Sequence, residues 1–172
     1  GGNKMTPYAI VIESRTGNTA LLGQRLQDVL PKENCLYVGK PSEEALAAPV
    51  LFVGFWTDKG QADAVTLEFL RKLHGKTVYL FGTAGFGISE EYFQSILSRT
   101  QAALAEDNTL AASFMCQGKM PLAVRERYEK DLLEQPLNDK LREMIANFDQ
   151  ALSHPDAQDL ADLTQWAQNL TM

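Results

Sequence analysis

With 172 residues, 45% of them hydrophobic and 22% charged, the sequence has the mix of an ordinary soluble globular protein and the length for one full core. Sixteen Lys and Arg against twenty-two Asp and Glu give a formal charge of −6, which argues against a nucleic-acid binder and suits docking on basic partner surfaces. No apolar run approaches the roughly 20 residues of a membrane span, and two cysteines with two histidines are too few for a usual zinc site.

The opening Gly-Gly-Asn-Lys-Met has no apolar h-region, so no secretory signal and a cytoplasmic location are expected. Tyr8 to Ile12 is continuous and β-branched, as in a parallel strand buried on both faces. Thr19 to Leu30 repeats leucines at helical spacing and stops before Pro31. Cys35 to Gly39 is a second strand. Ser42 with Glu43 and Glu44 caps a short helix before Pro49. Val50 to Phe55 is a third strand, Asp63 caps a helix running to Lys72, and Thr77 to Phe81 is a fourth strand. Ser89 caps the next helix, and Ala111 to Cys116 is the fifth strand. This alternation predicts an α/β domain, with helices on both faces of a doubly wound parallel sheet. Two charged amphipathic helices, Val124 to Glu134 and Leu137 to Phe148, follow. A last helix begins with Pro155 near its first position and packs back on the sheet. No linker divides the chain, so residues 1–172 read as one domain with a helical insertion at 117–150.

Ligands of open α/β sheets bind beyond the carboxyl ends of the strands. The first such loop, Ser14-Arg15-Thr16-Gly17-Asn18-Thr19, offers hydroxyls, a glycine and the free N–H groups of a helix start, all of which favour a phosphate. After the third strand, Trp56-Thr57-Asp58-Lys59-Gly60 presents an indole that can stack on a flat heterocycle. After the fourth, Thr83-Ala84-Gly85-Phe86-Gly87 offers backbone N–H groups and a second ring. Gly75-Lys76-Thr77 is no P-loop, because Leu70 stands where the earlier glycine is required and a strand follows. Gly82, Gly85 and Gly87 are spaced GxxGxG, not GxGxxG, so a dinucleotide fingerprint is lacking. Cys116 reads as a buried inert thiol, and Cys35 and Cys116 as a reduced pair, although sequence does not exclude a disulfide. His74 reads as a helix C-terminal cap, and Tyr92 as either a ring neighbour or a packing residue.

The order of phosphate loop, tryptophan loop and glycine-rich loop resembles the flavodoxins, and Ser14-x-Thr16-Gly17-x-Thr19 looks like their FMN phosphate signature. More narrowly, GFWTDKG (54–60), FGTAGFG (81–87), FMCQGKMP (114–121), VRERYEK (124–130) and LSHPD (152–156) resemble flavodoxin-like accessory proteins of anaerobic bacteria, including those associated with bilirubin reductase. The resemblance implies a five-stranded sheet of order 2-1-3-4-5 with added C-terminal helices, and FMN as cofactor. It places Ser14, Arg15, Thr16, Gly17, Asn18 and Thr19 around the phosphate. Phe55, Trp56, Thr57, Asp58, Lys59 and Gly60 would flank one side of the flavin, and Thr83, Ala84, Gly85, Phe86 and Gly87 the other. Three features depart from the usual pattern: Phe86 in place of Tyr or Trp, Lys59 beside Asp58, and the helices after Cys116.

The function implied is electron transfer between a reductase and a client oxidoreductase as protein partners, with no catalytic side chain. The alternative is an FMN-dependent reductase acting directly on a small substrate such as a quinone or tetrapyrrole. A third reading is an interaction module that keeps the fold without the flavin.

Overall fold

The structure is a computed structural model that describes residues 6–86 and 89–170. Its central sheet contains β1 (Tyr8–Ile12), β2 (Cys35–Gly39), β3 (Val50–Asp58), β5 (Thr77–Ala84) and β6 (Thr109–Gln117), all parallel, in the order β2-β1-β3-β5-β6. A two-residue strand, β4 (Gln61–Ala62), pairs antiparallel with β3 off this path. The main path is the expected 2-1-3-4-5 arrangement, with the short hairpin shifting the numbers of the last two strands. Among the described residues, no helix is long and apolar enough to cross a membrane.

Period-two side-chain alternation builds a core on each face of the sheet. Ala9, Val11, Leu51, Val53, Val78 and Leu80 face α2 (Ala64–Arg71) and α3 (Glu90–Gln101), which contribute Phe69, Leu70, Ile96 and Leu97. Their strand neighbours Tyr8, Ile10, Val50, Phe52, Tyr79 and Phe81 face α1 (Asn18–Val29) and α6 (Ala157–Gln168), which contribute Leu22, Leu26, Leu163 and Ala167. Phe52 stacks on Tyr79 at 4.7 Å, and Trp166 meets both rings edge-on at 6.3 Å, so the last helix packs back on the sheet. Burying each large apolar side chain stabilises this arrangement by about 1.5–3 kcal/mol. Gly82 is required by a close approach. Its register partner on β3 is Phe55, whose ring lies where a Cβ at position 82 would stand.

Most helix starts follow their caps. Asp63 accepts from Thr66 N–H at 2.9 Å, Ser89 from Tyr92 N–H at 3.2 Å, and Ser42 from Glu44 N–H at 3.3 Å. Two expectations are corrected. The α2 helix ends at Arg71, so His74 lies beyond it and pairs with Asp107 at 3.3 Å instead of capping. The α6 helix starts at Ala157, because a reciprocal capping box between Asp156 and Asp159 sets its N-terminus and leaves Pro155 outside. Between β6 and α6 stand α4 (Leu122–Glu134) and α5 (Asp139–Ala151). They are joined by an Arg125–Asp149 fork with N–O distances of 2.8 and 3.0 Å. Cys35 and Cys116 are free thiols, and burial pushes the Cys116 thiol strongly up.

Candidate functional site

Three loops at the carboxyl ends of β1, β3 and β5 meet α4 around a cavity of about 490 Å³. The first loop turns through Gly17, at φ +89°, directly into α1, and this N-cap glycine has no side chain to cap the helix. Its first turn carries no acidic residue, and Ser14 Oγ accepts from Ala20 N–H at 3.3 Å. An acid-free helix start with glycine at the N-cap is a ready anion site. Thr16 Oγ1 and Asn18 Nδ2 donate to the Lys119 carbonyl at 3.4 and 2.9 Å, which draws the chain after β6 against this loop.

The second loop is tighter than a loose excursion. The β3 strand continues through Trp56 to Asp58 and reverses at Lys59 and Gly60, with φ of +53° and +82°, into β4. Positive φ at both central residues is the geometry that matches strand twist in a two-residue hairpin. Helix α3 anchors the hairpin: Ala62 N–H donates to Thr100 Oγ1 at 3.0 Å, and Arg99 donates to the Gly60 carbonyl at 3.4 Å. The Trp56 amide donates to the buried carboxylate of Asp63 at 3.3 Å. Burial raises that carboxyl's pKa, while hydrogen bonds from Thr66 and Trp56 oppose the rise. The Arg15 guanidinium lies 5.2 Å from the centre of the Trp56 ring, a cation–π contact at the cavity.

The third loop is held from behind. The Gly85 carbonyl accepts from Gln117 Nε2 at 3.2 Å and from Asn147 Nδ2 at 2.9 Å, the latter reaching across from α5. Phe86 faces Tyr128 of α4 with ring centres 6.5 Å apart. Burial raises the Tyr92 and Tyr128 phenols, so both stay neutral at physiological pH.

Of the residues expected from sequence, Arg15, Thr16, Asn18, Trp56, Thr57, Asp58, Lys59, Gly60, Thr83, Gly85 and Phe86 line this one cavity. Ser14, Gly17, Thr19, Phe55 and Ala84 do not. Thr19 is fully buried, with its hydroxyl donating to the Phe55 carbonyl at 2.9 Å. Phe55 and Ala84 point into the core. Gly87 lies outside the described residues.

Tyr92, one of whose two sequence readings was a ring neighbour, also lines the cavity, and so do Lys119, Met120, Pro121, Val124, Arg127 and Tyr128, for which the sequence carries no site signal. The amphipathic period of α4 pointed to a buried face, but nothing in it says which surface that face covers.

The donor set suits a phosphorylated heterocycle. Arg15, Lys59, Lys119 and Arg127 line the cavity against one acid, Asp58, in a chain of net charge −6. Among the described residues, the buried side-chain polar atoms without a partner are Asn18 Oδ1, Thr57 Oγ1 and Gln117 Oε1. Asn18 and Thr57 line this cavity, and Gln117 sits directly behind it. Such atoms are destabilising unless something bonds them, which fits a polar ligand in the cavity.

Comparison with known proteins agrees. A family model described as Flavodoxin domain matches residues 9–168. The flavodoxin-like domain-containing protein BilS of Clostridium symbiosum is 42% identical over 172 residues, covering 90% of each chain. Its namesake from Clostridioides difficile is 29% identical over 168 residues, covering 94% of each. Among solved structures, a short-chain flavodoxin associated with a non-canonical PDU bacterial microcompartment aligns at TM-score 0.59 and 18% identity over 95% of each chain. Oxidised flavodoxin 2 from Bacillus cereus aligns at 0.57 and 14% over 94% of this chain and 95% of that one, so these two likenesses bear on the fold alone. By its sequence match across nearly the whole chain, this protein belongs to the flavodoxin family, with FMN as its cofactor and electron carriage as its class of function.

Proposed function

We propose that the cavity holds FMN and that the protein passes electrons between a reductase and a client oxidoreductase. The observation that carries this reading is the meeting of an acid-free helix start with a glycine N-cap, a tryptophan-bearing hairpin and a second aromatic loop around one cation-lined cavity. Thr16, Asn18 and the first amides of α1, with Ser14 beside them, would bind the phosphate. Trp56 and Phe86 would flank the ring, which requires the Arg15 guanidinium to move off the indole face. When bound, FMN supplies the redox chemistry, and the chain supplies binding, orientation and electrostatics. Lys59 at the hairpin tip adds positive charge, which favours added electrons. The hairpin glycine leaves the 59–60 peptide the freedom to turn toward a ring nitrogen.

A second reading is favoured by the wall that α4 adds. Met120, Pro121, Val124 and Tyr128 extend the cavity beyond the three loops and offer apolar surface where a small acceptor could lie beside the ring. In that case the protein is itself a reductase.

Titration of the flavin-free chain with FMN, followed by anaerobic reduction of the complex in a spectrophotometer, tests the first proposal. Stoichiometric binding with quenched flavin fluorescence supports it, and a chain with no affinity for FMN refutes it. Turnover of a quinone or tetrapyrrole with NAD(P)H and no second protein would decide for the reductase. Electron delivery only through an added reductase decides for the carrier.

A further inference from the structure

We propose that the mouth of this cavity is a cationic docking face whose redox partner presents an acidic protein surface, the reverse of what the net charge of the chain suggests. The inference rests on the flavin reading above and adds the chemistry of the partner.

Arg15, Lys59, Lys119 and Arg127 are all exposed at the cavity and come from three separate segments of the chain: the loop after β1, the β3–β4 hairpin, and the chain from β6 into α4. The single carboxylate among the lining residues is Asp58. The rest of the chain is therefore more acidic than the overall −6, with Glu91 beside Tyr92 and Glu126 beside Arg127 exposed but not lining the cavity. A phosphate at the 14–18 turn would neutralise part of the cluster. Its nearest candidates are Arg15, within that turn, and Lys119, whose carbonyl accepts from Thr16 and Asn18. Lys59 stands at the hairpin tip, and Arg127 lies 5.7 Å from the centre of the Tyr128 ring, which in turn faces Phe86. These two cations therefore belong to the flavin-flanking end, where a phosphate does not compensate them.

An electron-transfer partner must bring its own centre close to the ring, so it meets this mouth and not the average surface. Fields from exposed charges fade over roughly 8–10 Å at physiological salt, so local sign governs the docked contact. The acids at the start of α6, Asp156 and Asp159, do not line the cavity. The carbonyl of His154, whose ring pairs with Asp159 at 2.7 Å, accepts from Lys119 N–H at 2.9 Å, so their field falls on the Lys119 side, the end that a phosphate also compensates. A nucleic acid fits less well than an acidic protein face, because the chain as a whole repels a polyanion and four clustered cations do not form a backbone track.

The test reads the local field with charged quenchers of Trp56, in a Trp166→Phe chain without flavin. Iodide and caesium quenching are each normalised to N-acetyltryptophanamide. We expect an iodide-to-caesium ratio at least about twofold above that reference at low salt, falling toward it in 0.3 M potassium chloride. The Lys59→Glu/Arg127→Glu double variant should invert the ratio, and a ten-residue glutamate peptide, unlike a lysine peptide, should shield Trp56 from iodide. A ratio below the reference that rises with salt is the signature of the net acidic charge and overturns the proposal, and the salt series decides even if the variant fails to fold. In a second arm, reduced holoprotein is reoxidised by hexacyanoferrate(III) or by the tris-phenanthroline cobalt(III) cation. The anionic oxidant should slow and the cationic one quicken as salt is added, and the opposite pair of trends overturns the proposal. If the chain binds no FMN, this arm is blank and the flavin reading fails, while the quenching arm still decides the sign of the face.

Discussion

Removing Asn147 tests whether the added helices set the geometry of the cavity. The Gly85 carbonyl, between β5 and Phe86, accepts from Asn147 Nδ2 at 2.9 Å and from Gln117 Nε2 at 3.2 Å, and Gln117 Nε2 also lies 3.4 Å from Asn147 Oδ1. A carbonyl has two lone pairs, so either donor alone leaves it bonded. Asn147→Ala or Gln117→Ala should therefore destabilise the chain by about 1 kcal/mol each, the net value of one hydrogen bond. The double variant leaves the half-buried carbonyl without either donor, and the penalty should rise to about 3 kcal/mol, more than the two single losses together. Because Phe86 follows Gly85 directly, FMN affinity should fall about fivefold in the double variant, equivalent to about 1 kcal/mol. Urea unfolding of the flavin-free chains and fluorescence titration with FMN measure the two effects. Strict additivity in unfolding would refute the shared-acceptor argument. Wild-type affinity in the double variant would refute the claim that α5 positions this loop.

Three further outcomes are expected. Lys59→Ala should lower the potential of the last flavin reduction step by about 20 mV, since an exposed lysine contributes only about 0.5 kcal/mol after screening, and a redox titration showing no change or a rise would exclude the role. The Arg125 fork holds Asp149 below the ordinary carboxylate value of 3.8. Its contribution is therefore fully present above that value and is lost as pH falls through the lower folded one. Unfolding curves of the wild type and Asp149→Asn should differ at neutral pH and converge in acid, and a constant gap would show that the fork does not join α4 to α5 as drawn. Gly82→Ala should destabilise by about 1–3 kcal/mol, because its methyl meets the buried Phe55 ring, and an unchanged melting temperature would mean the β3–β5 layer gives way freely.

Local composition and capping signals sufficed for the five main strands, most caps and the three ligand loops. Tyr8–Ile12 and Cys35–Gly39 have the bounds their composition predicted, and Asp63 and Ser89 cap the helices they precede. Periodicity was less informative inside the strands. The resemblance set Phe55 beside the flavin together with Trp56, yet Phe55, the last residue of an unbroken apolar run, enters the core and only Trp56 lines the cavity. The continuation of the third strand to Asp58 and its return through β4 came from the packed fold, since the anchors of that hairpin, Arg99 and Thr100, lie on α3. The packed fold also decided that α4 walls the cavity and that Asn147, 62 residues from Gly85, holds the ring loop. Such contacts follow from how helices dock on a finished sheet, and an amphipathic stripe states that a face must be buried without naming the surface that buries it.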